Sequence, residues 1–208
     1  MSVKIATVGI INYGAGNIKS ILNSFEYIGA KTVVISDIFA LRTASHLILP
    51  GVGAFGYCAS KLQASGLLDG FAEFVLINKV PTLGICVGMQ LLADSSNEMG
   101  MHSGLGWLGG EVRKVVSSGT DVRIPHVGWN DVVFRGDFGE FRTGDSADFY
   151  FDHSYVLNRP KNGEILAVCQ HGVEFCAAVR RDNIVASQFH PEKSQNAGFQ
   201  FLRGFLEM

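Results

Sequence analysis

The sequence predicts an α/β fold: a parallel sheet flanked by helices, with an added antiparallel β layer. Three observations predict it. In the first half, short apolar runs alternate with longer stretches of helical periodicity, the grammar of βαβ units. In the second half that period gives way to short strand-like runs separated by turns. The composition, 47% hydrophobic and 17% charged with 25 glycines and 5 prolines, suits a compact α/β protein rather than a disordered or fibrous one. At 208 residues the chain can bury one sizeable core, and one domain over residues 1–208 is expected.

Val3 to Ile11 reads as a strand, Asn12 to Asn17 as a glycine turn, and Ile18, Ile21, Leu22, Phe25 and Ile28 recur at helical spacing. Gly29 closes that helix and Thr32 to Ser36 supplies a β-branched strand, which must lie parallel to the first. Gly14-Ala15-Gly16 lacks the third glycine of a dinucleotide fingerprint and reads as a turn feeding a helix. His46 to Leu49 is another short strand, followed by the glycine-rich turn Pro50 to Phe55 and a polar helix from about Gly56 to Lys79 that Gly66 interrupts. Val80 to Ile85 is a buried strand, and a helix opens after Cys86.

Beyond five glycines between Gly100 and Gly110, the strand-like segments are Glu111 to Val116, Val132 and Val133, Asp148 to Val156, Ile165 to Cys169, Phe175 to Val179 and Ile184 to Phe189. A last helix is expected from about Ala197 to Leu206.

The net charge of −2 gives no reason to expect nucleic acid or an anionic membrane as partner. No apolar run reaches the ~18 residues of a membrane span, and the start of the chain has no basic stretch or cleavage site of an export signal. A cytoplasmic protein is expected. Cys58, Cys86, Cys169 and Cys176 have neither C-x-x-C nor metal-ligand spacing, so neither a disulfide frame nor a metal site is expected, and no cofactor is expected.

The chemistry gathers at Gly84 to Gln90, G-I-C-V-G-M-Q. G-x-C-x-G is the cysteine form of the nucleophile elbow, a sharp turn from strand to helix that presents one side chain at its tip. Such a turn exposes the sulfur of Cys86 at a helix N-terminus, where free N–H groups and the dipole favour a thiolate. Ile184 to Phe189 ends in His190-Pro191-Glu192, and residues i and i+2 at a strand terminus project to one side. His190 can shuttle the proton while Glu192 holds its tautomer. Both strand ends open on the carboxyl edge of a parallel sheet. The Pro50 turn reaches the same edge, where an N–H of Val52 or Gly53, with that of Val87, can form an oxyanion hole.

Together G-I-C-V-G-M-Q, L-P-G-V-G-A-F and F-H-P-E-K-S resemble the class I, triad-type glutamine amidotransferases. N-Y-G-A-G-N, G-L-G-W-L-G-G-E-V, P-H-V-G-W-N and Y-F-D-H-S-Y narrow the resemblance to the glutaminase subunits of imidazole glycerol phosphate synthases and span nearly the whole chain. The resemblance implies a flavodoxin-like sheet and a triad of Cys86, His190 and Glu192 that releases ammonia from glutamine through a thioester. It implies substrate contacts at Gly53, Gln90, Glu98, Ser154 and Tyr155. It also implies a heterodimer with a (β/α)8-barrel cyclase that receives the ammonia in histidine biosynthesis, with Asn17, Trp129, Tyr150 and Lys193 facing it. Paralogues that supply ammonia for amination or amidination of surface sugars share these motifs and form the alternative. Asn12, Val87 and Asp152 depart from the usual pattern, and none is a triad member.

Overall fold

The computed structural model describes residues 5–116 and 122–208. Val3 and Lys4, at the start of the predicted first strand, lie outside the described residues. The strand itself is β1 (Thr7–Ile11), followed by α1 (Ile18–Tyr27) and β2 (Lys31–Ile35), which pairs parallel with β1. Helix α1 turns Ile21 and Phe25 into the core, and Asn17 caps its start by accepting from the Ser20 N–H. Gly29, at φ +90°, ends it in the left-handed conformation that a side chain would resist.

A four-residue helix α2 (Ile38–Leu41) leads to β3 (His46–Leu49). The predicted interruption at Gly66 separates α3 (Phe55–Ala64) from α4 (Leu68–Ala72), which runs on as a wider π turn over Glu73–Ile77. Next come β4 (Thr82–Ile85) and α5 (Val87–Leu91), then the two-residue strands β5 (Ser95–Ser96) and β6 (His102–Ser103). The second half comprises β7 (Glu111–Lys114), β8 (His126–Phe134), β9 (Ser146–His153), β10 (Tyr155–Asn158), β11 (Glu164–His171), β12 (Val173–Arg181), β13 (Ile184–Ser187) and α6 (Gln195–Leu206).

Nine strands form one sheet in the order β2-β1-β3-β4-β13-β12-β11-β8-β9. The first five are mutually parallel, and β13, from the second half of the chain, completes them. From β12 outward the strands are antiparallel and continue the same sheet. The added β structure thus extends the parallel sheet edgewise, and a smaller sheet, β10-β7-β5-β6, stands beside it. The predicted run Asp148 to Val156 divides at Ser154, where the chain leaves the large sheet for the small one.

Strands β3, β4 and β13 are buried at every residue, as parallel strands covered on both faces must be. Phe149, Phe189 and Phe201, all fully buried, stack between β9, the end of β13 and α6, with ring centroids 4.1 Å (Phe149–Phe189) and 5.0 Å (Phe189–Phe201) apart. Each such side chain contributes roughly 2–3 kcal/mol by burial. Phe189 thereby anchors the residue that follows it, His190. No helix of the described residues is long and apolar enough to cross a membrane.

Candidate active site

The loops after β1, β3, β4 and β13 leave the sheet at one edge, because those strands are parallel neighbours. Cys86 sits there between β4 and α5 with φ +54° and ψ −112°, a conformation that costs a non-glycine residue on the order of 1–3 kcal/mol. Its N–H continues the ladder to the Ser187 carbonyl at 2.8 Å, and its carbonyl accepts from Gln90 N–H at 3.2 Å. The elbow closes only because its neighbours lack side chains. A Cβ on Gly88 would stand 1.9 Å from the Leu49 carbonyl oxygen, and one on Gly84 would stand 3.0 Å from that of Gly88. Contrary to the expectation of an exposed sulfur, Cys86 is 3% exposed; it lines a cavity of about 260 Å³ instead of standing at the surface.

His190 and Glu192 meet, though not on a strand. Strand β13 stops at Ser187, and Pro191–Lys193 forms a 3-10 turn that His190 precedes. The tight turn brings the imidazole Nδ1–H to Glu192 Oε1 at 2.8 Å. Main-chain bonds fix the histidine: its N–H donates to the Tyr150 carbonyl at 2.9 Å, and its own carbonyl accepts from the Ser194 hydroxyl at 2.6 Å. Burial is the largest influence on the imidazole and by itself would lower its pKa. The charge and hydrogen bond of Cys86, with those of Glu192, outweigh burial and raise it to about 10. The second Glu192 oxygen, Oε2, is buried without a partner among the described residues.

The Pro50 to Gly53 loop is held from beneath. Tyr13 donates its hydroxyl to the Pro50 carbonyl at 2.6 Å, and the Cys58 sulfur lies 3.3 Å from the Val52 carbonyl oxygen. Burial raises the pKa of both groups, so both keep their protons. The N–H groups of Val52, Gly53 and Val87 make no hydrogen bond with another described residue.

Of the residues singled out from sequence, Val52, Gly53, Cys86, Val87, Gln90, Glu98, Ser154, Tyr155, His190 and Lys193 all line the one cavity. Glu192 stands behind His190. Glu98 spends Oε2 on the Phe55 N–H at 2.7 Å, at the start of α3. Asn17, Trp129 and Tyr150 are not part of the cavity lining. Trp129 and Tyr150 are cross-strand partners on β8 and β9 with their rings edge-on, and Lys193 lies over the Tyr150 ring at 5.2 Å.

Sequence reasoning missed Gln188, whose Nε2 is 3.7 Å from the Cys86 sulfur and whose Oε1 accepts from Gln90 Nε2 at 3.0 Å. Its place two residues before His190 was the available signal. It also gave no role to His153 in the cavity wall or to its cross-strand partner His126. Among the described residues no cluster of His, Cys, Asp or Glu is arranged to hold a metal. The arrangement offers a cysteine and an imidazole held by a carboxylate. The loop residues with unpaired N–H groups line a cavity whose wall carries both amide and carboxylate groups.

The family model for glutamine amidotransferase class-I matches residues 9–207. The chain is 44% identical over 200 residues to a Vibrio vulnificus (strain YJ016) protein described as imidazole glycerol phosphate synthase subunit HisH 2, covering 95% of this chain and 92% of the relative. The imidazole glycerol phosphate synthase subunit HisH of Geobacter sulfurreducens is 41% identical over 206 residues, covering 97% and 98%. A crystal structure of a glutamine amidotransferase shares the fold with TM-score 0.75 at 23% identity, over 96% of this chain and 97% of that one. The structure of PurLQS from Thermotoga maritima also reaches TM-score 0.75, at 16% identity over 98% and 99%.

Proposed function

The chain belongs to the class-I glutamine amidotransferases, and from that membership we propose that it is the glutaminase subunit of an imidazole glycerol phosphate synthase, one amidotransferase domain over residues 1–208. The observation that carries the reading is the convergence of Cys86, His190 and the glutamine-binding candidates on one cavity. Cys86 attacks the side-chain amide carbon of glutamine, and the oxygen of the tetrahedral adduct takes hydrogen bonds from the Val87 N–H and an N–H of Val52 or Gly53. His190, oriented by Glu192, gives its proton to the departing nitrogen as the C–N bond breaks, leaving ammonia and a glutamyl thioester. The imidazole then takes a proton from water, the hydroxide attacks the thioester, and glutamate leaves with the thiolate restored.

Gly53, Gln90, Glu98, Ser154 and Tyr155 bind the amino-acid end of glutamine. Ammonia passes to a (β/α)8-barrel cyclase bound as a heterodimer over Asn17, Trp129, Tyr150 and Lys193, which uses it to form imidazole glycerol phosphate and an aminoimidazole carboxamide ribonucleotide in histidine biosynthesis. The relatives' names favour this over the sugar-modifying alternative. The test is Cys86→Ala in the complex with the cyclase. Synthesis from glutamine should fall to background while synthesis from ammonium salts persists, because only ammonia generation needs the sulfur. Retained glutamine hydrolysis would remove Cys86 from the mechanism.

A further inference from the structure

His126 and His153 are buried, face each other across β8 and β9, and have no role in the chemistry above. They lie in a continuous run of hydrogen bonds whose direction is fixed at both ends. At one end the Asn130 side chain accepts from the Asp131 N–H through Oδ1 at 2.9 Å and meets the Gln170 carbonyl through Nδ2 at 3.1 Å. Its amide cannot be turned over without losing both. Nδ2 therefore donates to His126 Nε2 at 3.1 Å, which must carry a lone pair. At the other end His153 Nδ1 is 3.1 Å from the Tyr155 carbonyl, an acceptor only, so the proton of His153 is on Nδ1. Between them His126 Nδ1 and His153 Nε2 are 3.0 Å apart, and the bond closes only as His126 N–H to a His153 lone pair. Both ends demand the same tautomers. Beyond Tyr155 the run continues, because its carbonyl also accepts from Gln90 Nε2 at 2.8 Å. Gln90 Nε2 is thus held by the Tyr155 carbonyl and Gln188, which leaves Gln90 Oε1 for a donor on the substrate.

We propose that His126 and His153 are positioning residues for glutamine binding: a neutral, one-directional hydrogen-bond chain that locks the bend at Ser154 and sets the Tyr155 carbonyl and the Gln90 amide for the substrate. The inference rests on the glutaminase reading above. Burial holds both rings neutral, with His171 adding to the effect on His126 and His126 to that on His153. The groups facing His126 are the His171 ring from β11, stacked at 3.8 Å, His153 and Phe151 from β9, and Phe175 from β12. His153 also feels His190.

The test is Asn130→Asp in the complex with the cyclase, which replaces the donor to His126 by an acceptor in nearly the same shape. His126 must then place a proton on Nε2, and as a neutral ring it turns a lone pair against His153. The KM for glutamine should rise about three- to tenfold at pH 8.5, the effect of losing one hydrogen bond, with kcat changed less than twofold. The defect should shrink toward pH 6, because the carboxylate placed beside Nε2 favours an imidazolium, which carries protons on both nitrogens and restores the bond to His153. His126→Asn, whose amide nitrogen can replace Nδ1, should bind glutamine like the wild type, whereas His126→Phe should not. Equal defects in these two, or no KM change in Asn130→Asp, would overturn the proposal. Long-range 15N NMR of the wild type stands apart from activity: both rings should be neutral with the proton on Nδ1, and a proton on Nε2 of either would overturn the chain even if the glutaminase reading held. A wild-type complex with the cyclase inert toward glutamine, with those tautomers present, would count against that reading instead.

Discussion

His190 and His153 are both almost wholly buried, yet they hold protons with opposite strength. Burial works against the charged form in each. His190 has Cys86 and Glu192 to compensate and is raised to about 10; His153 has only neighbouring histidines and a carbonyl and is lowered to about 3, with His126 lowered to about 4. For the latter two the folded value lies below the unfolded value of about 6.5, so above that pH they do not weaken the fold. As pH falls from about 6.5 toward 4, the unfolded chain binds protons that the native state refuses, and stability drops by about 2 kcal/mol per histidine at pH 5. Urea unfolding at pH 7 and pH 5 should show a larger loss in the wild type than in His126→Phe; parallel losses would mean that His126 is not held neutral. The residues of the cavity differ in how far sequence exposes them. Cys86, His190 and Glu192 stand in short local motifs, whereas the roles of Gln188, His126 and His153 arise from partners far along the chain and across strands.

The strand, elbow and helix from β4 to α5 depend on backbone contact with β3. Gly88 presses against the Leu49 carbonyl where a Cβ would stand 1.9 Å away, and that oxygen belongs to a fully buried strand with nowhere to move. Gly88→Ala should therefore cost more than about 3 kcal/mol of stability. Denaturant unfolding measures it, and an alanine variant as stable as the wild type would show that the elbow can shift. Strands β1 and β3 and helix α1 were legible because each carries an apolar run or a helical period that ends at a glycine. Strand β8 was readable only at Val132 and Val133: its first half, H-V-G-W-N-D, mixes polar residues and a glycine with isolated apolar ones, and its pairing with β9 is what makes it a strand. The break at Ser154 was hidden for a similar reason. Nothing in Y-F-D-H-S-Y-V distinguishes a continuous strand from one that crosses between two sheets.

On the molecule as a whole, the large sheet gathers the loops after β1, β3, β4 and β13 at one edge, and beside the charged Asp152 the exposed side chains near the cavity include apolar and aromatic ones. Val52, Val127 and Trp129 are 41%, 56% and 47% exposed, a composition that suits a face covered by a partner. In the proposed assembly the ammonia released at Cys86 never equilibrates with solvent, where it would be protonated and lose its nucleophilicity. The most direct measurement supplies the complex with the cyclase, its nucleotide substrate, glutamine labelled with 15N at the side-chain amide and an excess of unlabelled ammonium. The account predicts that the nitrogen entering imidazole glycerol phosphate is 15N, one for each glutamate formed, and that Cys86→Ala incorporates only the unlabelled atom. Product from the wild-type complex carrying nitrogen in the proportions of the bulk solution would contradict it.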